Sequence, residues 1–107
     1  MKLWVDDVRP APEGYVWCKT VYAAKYAIQA EEDYQRTFPY DLYFGIELID
    51  IDHDAGDFAY DGGDYIKLLD WLEETGRNYP IRIHSMNPVG RENMRRIIQK
   101  NGWTEVV

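Results

Sequence analysis

Short apolar runs along this chain alternate with stretches whose apolar residues recur at helical spacing. Residues 2–5 form a brief apolar run stopped by Asp6 and Asp7, which reads as a strand. Between Asp7 and Gly14, Pro10 and Pro12 break any helix, so a loop is expected there. Residues 15–19 read as a second short strand. Thr20 then stands as the N-cap of a helix to about Arg36, with Val21, Ala24, Ala27, Ile28 and Tyr34 at helical spacing. Pro39 closes that segment. Residues 42–51 are the longest apolar run and the best candidate for a central strand, followed by an Asp- and Gly-dense loop over 52–63. A helix is predicted from about Asp64 to Thr75, with Tyr65, Leu68, Leu69 and Leu72 on one face and Gly76 at its end. Residues 80–84 read as a strand. Asn87 and Pro88 are the N-cap and first-turn proline of a helix to about Asn101, with Met94, Ile97 and Ile98 inward and Gly102 closing it. Residues 103–107 read as a last strand.

The order β-β-α-β-α-β-α-β implies parallel pairing with right-handed crossovers, and so one doubly wound α/β sheet in a single domain over residues 1–107. Hydrophobic residues at 46% and aromatics at 15% support a packed core. Twelve Lys and Arg against 19 Asp and Glu leave a net charge of −7, which argues against duplex nucleic acid as a partner. A small phosphorylated ligand or an RNA end held by a few local groups stays compatible with that charge. The single cysteine, Cys18, excludes an intrachain disulfide and a cysteine-based zinc site. Carboxylates at positions 6 and 7 leave no room for a signal peptide, and no run approaches a membrane span, so a cytoplasmic location without a membrane partner is expected.

In doubly wound sheets, ligands sit outside the carboxyl ends of the strands. There the first strand presents Asp6 and Asp7 followed by Arg9, the third presents Asp52, His53 and Asp54, and the fourth presents His84 and Ser85 ahead of Asn87. Asp6, Asp7 and Asp52 suit Mg²⁺, a hard cation that takes carboxylate oxygens, although Arg9 and backbone N–H groups could equally satisfy the acids without metal. Nothing calls for an organic cofactor. His53 and His84 are candidates for acid and base on opposite sides of a phosphorus, with Asp54 orienting His53; the bland alternative makes either one a hydrogen-bonded structural residue. The helix opened by residues 85–90 offers N–H groups to an anion. Arg9, Ser85, Asn87 and Arg91 are therefore the substrate-binding candidates, with Ser85 as a hydrogen-bond donor. Arg95, Arg96 and Lys100 fit the solvated face of that helix. Gly62, Gly63 and Asp64 resemble a phosphate loop only weakly, and Asp64 serves equally as an N-cap. Asp50 and Glu47 interrupt the central strand, where charge is costly unless paired. Sequence offers no firm role for Asp50.

Four motifs in order, VDDVRPAPEG at 5–14, IDHDAGD at 51–57, DGGDY at 61–65 and HSMNPVGRENM at 84–94, resemble the cyclic-phosphate processing receiver domain family. The resemblance implies a receiver-like, flavodoxin-like domain, with a five-stranded parallel sheet of order 2-1-3-4-5 and a proline loop replacing the first helix. It places Asp6, Asp7 and Asp52 in the receiver acidic pocket, Asp52 at the phosphoacceptor position, and His53 and His84 at the family's own histidines. It also implies a phosphoesterase acting on a 2′,3′-cyclic phosphate end or a cyclic nucleotide by two-histidine catalysis. Two departures stand out: Ala55 replaces a leucine, and the lysine that receivers carry after the fifth strand has no counterpart after Trp103. The alternatives are a non-catalytic module that binds a phosphorylated nucleotide, or a degenerate receiver acting through protein partners. The aromatic stretch with Phe38, Tyr40 and Tyr43 bears on the last, although packing over the sheet edge is the preferred reading.

Overall fold

The computed structural model describes residues 1–40 and 45–107. Strands β1 (Lys2–Val5), β2 (Tyr15–Cys18), β3 (Leu48–Ile51) and β4 (Ile81–Ile83) form one sheet of order β2-β1-β3-β4, every neighbouring pair parallel. Three helices join them: α1 (Val21–Thr37), α2 (Ile66–Glu74) and α3 (Pro88–Asn101). The caps act as their residue types dictate. Thr20 Oγ1 accepts from Ala23 N at 2.9 Å, Asn87 Oδ1 accepts from Gly90 N at 2.9 Å, and Gly102 ends α3 in the left-handed conformation with φ 66°. Residues 7–14 form a loop and not a helix, as the prolines require.

Alternation along the strands sorts the two faces. Leu3, Val5, Cys18, Ile49, Ile51, Ile81 and Ile83 point to one side, where they bury the inner stripes of the helices, Val21, Ala24 and Ile28 with Leu68, Leu69, Leu72, Met94 and Ile98. The intervening residues point to the other side. In register across it lie Trp17, Trp4, Asp50 and Arg82. The proline loop lies over part of this second face: Trp4 Nε1 donates to Arg9 O at 2.8 Å and Tyr15 N to Pro12 O at 3.1 Å.

Four expectations need correction. The sheet has four strands and not five: the segment after Gly102 makes one bridge, Glu105 beside Ile81, with Ile81 N bonded to Thr104 O and Val106 N to Ile81 O. β4 is only three residues long, and Trp103 turns inward instead of extending the ladder, so little edge is left to pair. The central strand starts at Leu48 and not at 42, because its partner β1 starts at Lys2, the residue opposite Leu48. The part of that run at 42–44, with Tyr43, lies outside the described residues. Finally, α2 begins at Ile66 because Asp64 does not cap it; the Asp64 carboxylate accepts from Ala55 N at 3.0 Å and ties down the loop after β3. Phe38 and Tyr40 are exposed instead of packed over the sheet edge. Among the described residues, no helix is long and apolar enough to cross a membrane.

Candidate functional site

The carboxyl ends of β1 and β3 bring Asp6, Asp7 and Asp52 together, with one oxygen of each within 4.8 Å of the others. Asp6 follows the last residue of β1 and is fully buried. Its Oδ1 accepts from Val8 N at 3.0 Å and Arg9 N at 2.9 Å, so the side chain itself shapes the turn into the proline loop. Burial pushes the Asp6 carboxyl up, but the N–H of Arg9, His84 and the N–H of Val8 together hold it below the usual carboxylate range. Asp7 is raised, first by burial and then by the charges of Asp6 and Asp52. Gly56, at φ 54°, lies against this carboxylate: a Cβ there would come 2.4 Å from Asp7 Oδ2. Asp52 N donates to Val5 O, and Asp52 Oδ1 accepts from His53 N at 2.7 Å. These are hard oxygen donors that repel one another, the donor chemistry of a Mg²⁺ site. A cation at a hundred times its Kd adds about 2.7 kcal/mol, which at this chain length raises Tm by roughly 10–20 °C. A melting scan is expected to show an upward shift with Mg²⁺ over EDTA that Asp52→Asn abolishes; the same Tm in both buffers would contradict the site.

The two histidines have unlike settings. His84 follows β4, its N–H bonded to Ile51 O, and its side chain is 8% exposed. Nδ1 lies 2.6 Å from Asp50 Oδ1 and Nε2 lies 2.8 Å from Asp6 Oδ2, while Trp4 stacks on the ring at 3.9 Å between centroids. Each nitrogen meets a carboxylate, an arrangement that favours the imidazolium, in which both nitrogens donate. Burial lowers its pKa, but the bonds and charges of Asp50 and Asp6 outweigh that and raise it. Asp50 thereby gains its role: fully buried, it holds His84 through Oδ1 and Arg82 at 3.1 Å through Oδ2. His84 thus meets the acidic set through Asp6, with both ring nitrogens engaged.

His53 is different. Nδ1 donates to Asp54 Oδ1 at 2.9 Å, and Nε2 has no hydrogen-bond partner among the described residues. The side chain, 15% exposed, packs on the first turn of α3, where a Cβ on Gly90 would come within 2.4 Å of the ring. Asn87 Nδ2 reaches Asp54 Oδ2 at 3.4 Å, so the carboxylate that orients His53 is itself held.

The substrate-binding candidates divide similarly. Arg9 joins the site: its guanidinium is 3.4 Å from His84 O. Ser85 is buried, and its Oγ accepts from Asn87 N at 3.1 Å, which leaves its O–H as the group that could donate. Asn87 is occupied as the cap of α3. With Pro88 lacking an N–H and Gly90 N already capped, little of the expected anion-binding helix start remains. Arg91 has no hydrogen bond or ion pair to the other candidates; it lines a shallow hollow of about 220 Å³ on α3 with Met86, Pro88, Glu92 and Arg95.

The sequence matches the family model described as the cyclic-phosphate processing receiver domain over residues 1–100. The chain belongs to this family. No curated protein and no solved structure matches it. In this receiver domain His84, just after β4, gives the buried Asp6 an imidazole partner at 2.8 Å.

Because the folded state raises the pKa of His84 above 6.5, its contribution to stability is complete below that pH and is lost as pH rises through the folded value. Asp6 acts oppositely: its contribution is complete above pH 3.8 and is lost as pH falls through its lowered value. Urea midpoints in EDTA are expected to fall from pH 6 to pH 9. A flat line over that range would contradict the imidazolium.

Proposed function

We propose that this receiver domain hydrolyses a cyclic phosphodiester to a phosphomonoester, with His53 as the proton-transfer group. The observation that supports the reading is the pairing of His53 Nδ1 with Asp54 Oδ1 at 2.9 Å, next in the chain to Asp52 of the acidic set, with no hydrogen bond to Nε2 among the described residues. Asp54 accepts from Nδ1–H and so leaves Nε2 as the nitrogen that exchanges a proton. His53 takes a proton from the attacking water as its oxygen bonds to phosphorus. It returns that proton to the ring oxygen as the ester P–O bond breaks, so one water is added overall. Asp6, Asp7 and Asp52 would hold Mg²⁺, which when bound supplies Lewis-acid stabilisation of the phosphoryl oxygens. His84 does not transfer the proton in this reading; its charge and its bond to Asp6 hold that carboxylate in place. Arg9, whose guanidinium donates to His84 O, would contact the phosphate.

Phosphorus NMR of the chain with a pool of 2′,3′-cyclic nucleotides, 3′,5′-cyclic nucleotides and cyclic dinucleotides tests this, with Mg²⁺ in one arm and EDTA in the other. New phosphomonoester signals in the Mg²⁺ arm are expected. Shifted or broadened signals without product would replace the reading with a binding module.

A further inference from the structure

Three exposed or half-buried groups beside the acidic set are absorbed by neither the fold nor the proposed chemistry. Trp17 is 37% exposed, and its Nε1 donates to Asp6 O at 2.8 Å, the carbonyl of the peptide leading into Asp7. Phe58 lies two residues beyond Gly56, the residue pressed against the Asp7 carboxylate. Lys19, just past the carboxyl end of β2, bridges the two rings: its Nζ is 4.4 Å from the Trp17 centroid and 5.8 Å from that of Phe58. Among the described residues it makes no ion pair, in a chain whose acids outnumber its Lys and Arg by 19 to 12.

We propose that Trp17, Lys19 and Phe58 form a rim that binds a nucleobase and its phosphate, so that the substrate is a nucleoside phosphate and not a baseless cyclic phosphate. The inference rests on the preceding reading for the site it borders. A phosphate approaching Asp6, Asp7 and Asp52 meets repulsion, and a cation at the entrance offsets it. An ammonium held by ring faces keeps its N–H donors free for phosphate oxygens, since a ring quadrupole attracts the charge without consuming them. The exposed Trp17 ring, with the half-buried Phe58 ring beside the same ammonium, is a flat apolar surface on which a base can stack without sequence-specific hydrogen bonds.

Isothermal titration with product-like ligands separates binding from turnover. Adenosine 3′-phosphate is expected to bind about tenfold or more tighter than glycerol 2-phosphate, the gain that stacking on an aromatic side chain gives. Trp17→Leu should bring that ratio toward one. Phe58→Leu, which removes no side-chain hydrogen bond, should lower it several-fold and guards against a folding defect in the first variant. Lys19→Gln should weaken both ligands. Equal affinities, no binding of the adenosine ligand, or a ratio unchanged in both ring variants would overturn the rim. If the ratio holds while phosphorus NMR shows no hydrolysis, the rim stands and the hydrolytic reading fails.

Discussion

Replacing His53 by alanine is expected to slow hydrolysis of a cyclic phosphate about 10²- to 10⁴-fold, the contribution of one positioned acid–base group. The ring packs on α3 and has a single side-chain hydrogen bond, to an exposed carboxylate, so far-UV circular dichroism should stay unchanged. Gly90→Ala probes the same claim without touching the imidazole. An alanine Cβ would collide with the ring at 2.4 Å from Cγ, and alanine favours a helix over glycine. Turnover should therefore drop while the helix is not weakened. Full activity in His53→Ala, measured by initial rate of phosphomonoester release, would remove His53 from the chemistry.

The second large effect is on stability. Asp50→Ala leaves a buried imidazolium and a guanidinium without their shared carboxylate, and removing one partner of a buried pair costs about 3–5 kcal/mol. Domains of this size carry about 5–15 kcal/mol in total, so the variant should be close to unfolding in mild urea. Asp50→Asn keeps an oxygen for His84 Nδ1–H and should lose less. If both variants melt with the wild type, the Asp50–His84–Asp6 chain is not what holds this face of the sheet.

What was legible in the sequence was local. Thr20, Asn87 and Gly102 cap their helices because a cap depends on residues within one turn, and the proline loop followed from Pro10 and Pro12 alone. Asp6, Asp7 and Asp52 could be grouped because strand ends align in a parallel sheet. Asp54 could be assigned to His53 because they are adjacent. The rest depended on register. Asp50 and His84 are 34 positions apart and meet only because β3 and β4 pair Asp50 with Arg82, two residues before His84. A charge inside the longest apolar run was the signal that Asp50 had a buried partner, but the run did not name it. Likewise the start of β3 was set by where β1 begins, and the missing fifth strand by how short β4 is. Trp17, Lys19 and Phe58 come from two separate segments, and nothing in their spacing links them.

In the proposed chemistry the two histidines do different work, His84 as a fixed cation and His53 as the group that moves a proton. Nitrogen NMR of histidine-labelled protein, in EDTA at pH 6.5, reads this directly. One imidazole should show both nitrogens protonated and disappear in the His84→Gln spectrum. The other should keep Nδ1–H hydrogen-bonded to Asp54 and disappear in the His53→Gln spectrum. Two rings titrating alike as exposed imidazoles, or a neutral His84, would contradict the division of roles and return the site to a symmetric pair.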